Sequence, residues 1–508
     1  MSLRHGYFTG SGYTYGAYSE PSPERLALLC LLRGQRPVDL SRPFRLLELG
    51  CGQGYHLCLQ AANYPQAQFI GIDFNADHIA HASSLAAAAG LANIMFRQAD
   101  VLELEKDPAA LGAPFDLAVA HGLLGWVSPR VGASLLRLIA AALRPGGLLY
   151  LSYNTLPGWL AALPFQHTIR SLQEHHGDGL PALEAARGLF NALQQAKGQV
   201  FDAQPGLAER LEGLTGKDPA YLLHEYNHRE WQPLYANQVI GQAQLLGFSH
   251  LGSATLAENF DGLLPEAFRP LIQEQQDPAL RELVRDLLTN QSFRRDVYVK
   301  GRDPLWPGEA LALLQEQRVV GIADSQLLRQ DDAFQFRLGF GEVEGNRPWF
   351  GSLMASLADR PVSLADLRAK LGATPLAELL QNLALLIGKG MVIPVPPERD
   401  SQPAQRCNRL VAERVAAGAP YRYLACPLSG NVHGFSDIDL LAFHALQQGQ
   451  PETDLLRCLD ASLQALDRQP MRAGQAVEGA ERQAVLETMI AAFRRRSLPL
   501  MRRLGVLS

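Results

Sequence analysis

The sequence predicts an α/β fold: a doubly wound, mostly parallel sheet followed by α-rich accessory regions that include a winged-helix-like segment. Two observations predict it. From residue 44 to 154, short apolar runs alternate with helix-length amphipathic stretches, the pattern of strands buried on both faces and covered by helices. The first of those runs, LLELGCGQG at 46–54, ends in a glutamate and three alternating glycines. Glycine has no Cβ, so such a loop lets a ligand lie against main-chain atoms.

In chain order, FRLLELG reads as a strand and YHLCLQAANY as a helix. QFIGID is a strand, DHIAHASSLAAAAG a helix and IMFRQAD a strand. FDLAVAH is a fourth strand, residues 130–144 a helix and GGLLYLSYN a fifth strand. Ligands of such sheets bind beyond the carboxyl ends of the strands, where the glycine loop sits. A helical insertion follows at about 156–230 and includes HEYNHREWQPLY. ANQVIGQAQLLGFSHLGSATL then gives a helix and a sixth strand, so a core of residues 1–260 is expected to close there. A second region, 261–345, opens with two helices and a strand ending in RRDVYVKG. Residues 346–396 have the order of a winged helix, with MVIPVP as a wing strand. PVPPERDSQPAQ (394–405) has linker composition, and 397–508 is expected to be a helical C-terminal domain.

The chain has 508 residues and a net charge of −5, which provides no global attraction to nucleic acid or membrane. Its six cysteines form no C-x-x-C pair and no zinc spacing, so no metal site is expected. Reduced, mostly buried cysteines and an N-terminus without an apolar signal core suit a cytoplasmic protein. No run approaches the ~18 apolar residues of a membrane span.

The ligand follows from sorting the loop. A dinucleotide fingerprint needs G-x-G-x-x-G, but here the register is Gly50-x-Gly52-x-Gly54 with Tyr55 next, and Glu48 precedes it. A carboxylate there repels a pyrophosphate and suits a cationic group. Asp73 ends the second strand, where an acid accepts both hydroxyls of a ribose. Asp100 and Val101 end the third, placed for an exocyclic amine. Capping of the next helix is the competing role for both Asp73 and Asp100. A nucleoside with a cationic tail and no phosphate describes S-adenosylmethionine, with S-adenosylhomocysteine as product. Cys51 in the loop, Phe74 beside Asp73, and His121 complete the expected cofactor contacts.

The sequence resembles class I methyltransferases, whose fold is Rossmann-like. It is most similar to a bacterial group with a methyltransferase regulatory domain, which includes protein-lysine methyltransferases of outer-membrane proteins. The resemblance rests on GYTYGAYSEPSPERLALL, FRLLELGCGQG, AHGLLGWVSP, YLSYNTLPGW, YLLHEYNHREWQPLY and FRPLIQEQQDP…LTNQSFRRDVYV, over roughly residues 10–300. Gly125 departs from the pattern, standing where a larger or polar residue is expected.

Methyl transfer from a sulfonium needs alignment, dehydration and a deprotonated acceptor. On the acceptor side the candidates are Tyr153 and Asn154 at the end of the fifth strand and His121 at the end of the fourth. Tyr13 and Tyr15 are placed to fold over as a lid, with Tyr15 against the cofactor. Tyr226 and Trp231 offer cation–π walls, and Glu225 a charge to attract an ammonium group. Packing of the insertion onto the core is the plainer role for these last three. The winged-helix-like segment carries one Lys and no Arg in its second helix, too little charge for DNA.

The 248 residues after 260 exceed what a metabolite requires and suit a protein acceptor, and the resemblance to the lysine-methylating group implies that the acceptor is a lysine amine. A homodimer is compatible with the sequence. A small-molecule acceptor and a cofactor-binding scaffold without activity are the alternatives, and Tyr55 with Glu48 disfavours a nicotinamide enzyme.

Overall fold

The computed structural model describes residues 15–112, 114–176, 179–214, 216, 222, 226, 228, 230–372, 374–472 and 475–507, with the backbone of 3–4 and 7–8. Its centre is a seven-stranded sheet. The strands are β1 (Arg45–Leu49), β2 (Gln68–Asp73), β3 (Ile94–Gln98), β4 (Phe115–Ala120), β5 (Leu143–Asn154), β6 (Phe248–Ser253) and β7 (Phe293–Lys300). Their spatial order is β3-β2-β1-β4-β5-β7-β6. The first five run parallel and β7 is antiparallel to both its neighbours.

Strand alternation divides the core in two. Leu47, Leu49, Ile70, Ile72, Leu149, Leu151 and Tyr153 face one side, packed by helix α4 (Pro129–Ala142). Leu46, Phe69, Leu117, Val119, Leu148 and Tyr150 face the other, where α1 (Pro23–Leu32) and α2 (Tyr55–Asn63) pack. Glu48 and Asp73 share this second face by the same alternation. Helix α3 (Ala76–Ala88) follows β2, its first turn capped by Asn75, whose side chain accepts from the Asp77 and His78 N–H groups.

The core does not close at 260. Strand β7, expected in a separate region, inserts between β5 and β6, so the sixth strand of the sequence lies at the sheet edge. Its charged residues are the reason it can enter the interior. Arg294 is 4% exposed and donates to Asp296 at 2.9 Å, to Asp286 at 2.6 Å and to Glu282 at 2.8 Å. The Tyr153 hydroxyl donates to the same Asp296 at 2.7 Å. Burial pushes Asp286 up to about 7 against the pull of Arg294. Glu282, which burial alone would raise, is brought down to about 2 by Arg294, His250 and Arg285. Two of these acids lie on helix α6 (Pro278–Thr289), after α5 (Ala236–Leu245).

The segment at 346–396 has helix Arg347–Ser356, strand Val362–Ser363, helices Leu364–Lys370 and Leu376–Gly388, and strand Val392–Val395. Its third strand is Arg318–Gly321, taken from upstream. The helix 376–388 buries Leu379, Leu383 and Leu386. The stretch with linker composition is pinned: Arg399 pairs with Glu24 and lies 4.1 Å over the Tyr64 ring. Beyond it the region is mainly helical, with a hairpin of Tyr423–Cys426 and Asn431–Gly434 against α2. Among the described residues no helix is long and apolar enough to cross a membrane.

Removing Arg294 leaves the buried Asp286 and Asp296 without their guanidinium partner and weakens the half-buried Glu282, at a cost of about 3–5 kcal/mol. Tyr153→Phe, which removes one hydrogen bond, costs about 1 kcal/mol. Urea unfolding of Arg294→Ala and Tyr153→Phe measures both, and a loss below about 1 kcal/mol for Arg294→Ala would show that the cluster does not anchor β7.

Candidate active site

The glycine loop leaves the carboxyl end of β1 and turns into α2. Gly50, Gly52 and Gly54 all have positive φ, at 72°, 53° and 72°, a conformation that L side chains rarely adopt. A Cβ on Gly54 would stand 2.4 Å from the Ala82 Cβ and 2.7 Å from the Phe96 ring. A Cβ on Gly52 would meet nothing within 4 Å, so that stretch of backbone opens to the cavity. The loop is tied to β2: Gly50 N–H and Cys51 N–H both donate to the Ile72 carbonyl, at 2.8 and 3.1 Å.

A cavity crosses the ends of β2, β1 and β4. It is lined by the loop and Glu48, by Asp73, Phe74 and His78, by Tyr15, Tyr18, Tyr55 and His56, and by His121, Leu123, Trp126 and His228. Asp73 accepts from Gly52 N–H and from Asn75 N–H, each at 2.9 Å. Asn75 caps α3, so Asp73 is not the helix cap and faces the cavity. Glu48 is 5% exposed and its Oε2 finds no hydrogen-bond partner among the described residues. Burial, with the charge of Asp73, pushes its carboxyl up to about 8. A buried, unpartnered carboxyl oxygen beside a bare glycine backbone fits a ligand that brings a cation, as S-adenosylmethionine does.

On the β4 side, His121 Nδ1 lies 3.1 Å from the hydroxyls of both Tyr150 and Ser152. The Ser152 Oγ also accepts from Gly122 N–H at 2.8 Å. Tyr18 stacks on the imidazole with ring centroids 3.7 Å apart. Burial, with His56 and Arg295 nearby, lowers the His121 pKa to about 3, and burial lowers His56 to about 4. Both rings are neutral at ordinary pH.

Of the residues expected from sequence, the structure gathers Tyr15, Glu48, Gly50, Cys51, Gly52, Gly54, Asp73, Phe74 and His121 at the cavity. Asp100 is elsewhere. It caps the short helix Val101–Leu104, accepting from Leu102 N–H at 2.9 Å, and neither it nor Val101 lines the cavity. Tyr153 is on the opposite face of the sheet, fully buried and bonded to Asp296. Asn154 is 3% exposed and does not line the cavity; its carbonyl accepts from Leu234 N–H at 2.9 Å. Tyr226 and Trp231 pack inside the insertion, Trp231 with its ring centroid 5.0 Å from that of Trp159. Tyr13 and Glu225 lie outside the described residues. The insertion reaches the cavity through His228, whose ring meets Trp126 edge-on at 5.1 Å.

Tyr18, His56, Trp126 and His228 were not anticipated. Trp126 and His228 sit in the quoted stretches AHGLLGW and HEYNHREW, but spacing alone does not say which aromatic residue of each turns inward. The departure at Gly125 has a structural reason: its carbonyl accepts from Gln232 N–H at 2.9 Å, and a Cβ there would stand 3.1 Å from the Gln232 carbonyl oxygen.

Residues 40–217 match a methyltransferase domain family and residues 218–300 the family described as a predicted methyltransferase regulatory domain. The second match begins well before 261 and includes β6 and β7, so this region helps to build the sheet. The uncharacterised protein sll1526 of Synechocystis is 30% identical over 515 residues, covering 100% of both chains. Trans-aconitate 2-methyltransferase of Methylobacterium nodulans is 38% identical over 112 residues, 22% of this chain and 39% of that one. Among solved structures, PKMT2 from Rickettsia typhi in complex with AdoHcy is similar over 97% of this chain and 99% of that one. The TM-score is 0.70 and the identity 21%. By these matches and by the sheet order and glycine loop, the chain belongs to the class I S-adenosylmethionine-dependent methyltransferases that carry a methyltransferase regulatory domain.

Proposed function

We propose that the methyl acceptor of this enzyme is the side-chain amine of a lysine presented by a protein. The observation that carries this is the wall on the β4 side. Tyr18, His121, Trp126 and His228 form it, and among the described residues no arginine or lysine lines the cavity at all. Aromatic faces favour a cation such as a sulfonium or an ammonium. A di- or tricarboxylate acceptor needs cationic donors, which this cavity lacks among the described residues.

S-adenosylmethionine, when bound, supplies a methyl group on an already activated sulfonium. The protein's part is to hold and dehydrate. Asp73 is placed for the ribose hydroxyls, Glu48 for the cationic tail and the Gly52 backbone for close approach. His121, with a pKa of about 3, is a poor proton acceptor at neutral pH. The lysine therefore loses its proton to solvent on entry, as desolvation beside the sulfonium cation lowers the amine pKa. The fold shared with PKMT2, a protein-lysine methyltransferase, supports this reading. The likeness to trans-aconitate enzymes stops at 22% of the chain.

Two outcomes are expected. With radiolabelled S-adenosylmethionine and bacterial protein extracts, label enters protein, and prior acetylation of the extract's lysines abolishes it. Label appearing only in the small-molecule fraction would overturn the proposal.

The second concerns pH. The Glu48 carboxyl at about 8 is mostly protonated at pH 7, and a cation beside it favours the ionised form. Binding therefore releases up to about one proton near pH 7 and strengthens as pH rises from 6 to 8. Calorimetry in buffers of different ionisation enthalpy measures the release. Glu48→Gln removes it and flattens the pH dependence, and a release unchanged in that variant would exclude Glu48 as its source.

A further inference from the structure

A tyrosine of the C-terminal region stands behind both tyrosines of the cavity wall. Tyr421 is 4% exposed. Its ring stacks on Tyr55 with centroids 4.5 Å apart and meets Tyr15 edge-on at 5.0 Å. Tyr15 and Tyr55 both line the cavity, whereas Tyr421 does not.

Its hydroxyl lies 2.8 Å from His81 Nε2, and His81 Nδ1 lies 2.8 Å from the Gln53 carbonyl. A carbonyl only accepts, so Nδ1 carries the hydrogen and donates to it, while Nε2 shares a hydrogen bond with the Tyr421 hydroxyl. Gln53 is the residue between Gly52 and Gly54. Three further bonds grip α2 from the same hairpin region. The Tyr55 hydroxyl donates to the Tyr423 carbonyl and accepts from Tyr423 N–H at 3.0 Å. Asn63 Nδ2 donates to the Asn431 carbonyl at 2.6 Å.

We propose that Tyr421 is a positioning residue for the cofactor, fixing the Gln53 carbonyl through His81 and the Tyr15–Tyr55 wall through its ring. The C-terminal region thereby sets cofactor affinity. Loop residues flanked by positive-φ glycines turn their peptide planes easily, and the His81 bond holds the one between Gly52 and Gly54. The proposal rests on reading the cavity as the S-adenosylmethionine site.

The test is calorimetric titration of S-adenosylmethionine into the full chain and into Tyr421→Phe, Tyr421→Ala and Asp73→Ala, with melting curves and steady-state kinetics alongside. Tyr421→Phe keeps the stack and loses the hydrogen bond, so its Kd is expected to rise about three- to tenfold. Tyr421→Ala loses both and should rise further, about ten- to a hundredfold. KM for S-adenosylmethionine should follow Kd in Tyr421→Phe, while kcat at saturation stays within about twofold. A Kd unchanged in Tyr421→Phe, with Asp73→Ala weakened, would overturn the proposal and leave the cavity reading intact. So would a Tyr421→Phe defect confined to kcat, or one that only tracks a lowered melting temperature. Binding by Asp73→Ala at wild-type affinity would instead overturn the cavity reading on which the proposal stands.

Discussion

Three glycines with positive φ within five residues carry almost no conformational preference of their own, and everything at this site depends on what holds them. The carbonyl of Ile72 takes the first two loop N–H groups, and the carboxylate of Asp73 takes the N–H of Gly52. The carboxyl end of β2 is thus the template on which the loop after β1 is shaped. Gly54, where a Cβ would clash with Ala82 and Phe96, sets how closely α2 approaches α3 and β3. Once α2 is fixed, Tyr55 and His56 on its first turn are fixed as cavity wall. Asp73 therefore both shapes the loop and faces the cavity, because one oxygen bonds Gly52 and the other Asn75.

The electrostatics follow from that geometry. Glu48 and Asp73 are near neighbours in an interior that also contains neutral His56 and His121. Asp73 has two N–H donors, whereas Glu48 Oε2 has none among the described residues, and burial with the charge of Asp73 leaves Glu48 mostly protonated at neutral pH. The pocket stays near minimal charge until a cation enters, at which point ionising Glu48 becomes favourable. A permanently doubly charged pocket of this burial would be far costlier to fold.

The parts of the fold legible in the sequence were those whose burial is apolar. β1, β2, β4 and β5 are mainly apolar runs, and Glu48, the three glycines and Asp73 meet at one cavity because each is fixed by its own strand end. β7 was misassigned because FRRDVYVK reads as a surface strand unless Asp286 and Glu282 of α6 are known to join its own Asp296 in receiving Arg294. Helix α6 is reversed for the same reason: Glu282 and Asp286 turn toward Arg294, while Leu280 and Leu287 are 40% and 55% exposed. Tyr153 and Asn154 are adjacent on one strand, so alternation forbids both from facing the cavity. The face that serves it is set by Tyr150 and Ser152, which hold His121. Asp100 shows the limit of spacing, since a strand-end acid that caps a helix and one that binds a ligand occupy the same place in sequence.

The N-terminal arm is the element least able to hold itself. Tyr15 and Tyr18 precede α1 and lie against the cavity, yet among the described residues the arm makes no strand in the main sheet. Tyr18 N–H donates to His56 Nδ1 at 3.4 Å and Glu20 pairs with Arg295 of β7 at 3.6 Å, and further anchors come from the other end of the chain. Asn431 Nδ2 donates to the Ser19 carbonyl at 3.1 Å and to Ser22 Oγ at 2.9 Å. Arg399 pairs with Glu24, whose carboxyl is raised by burial even against that cation. A cavity walled by residues 15–18, 121–126 and 228, and braced from 399 to 431, is incomplete until both ends of the chain have met. Such long-range closure carries a loop-entropy cost that local contacts do not. The accessory region is therefore part of what makes the cavity, adding the brace behind Tyr15 to the stacking of Tyr18 on His121.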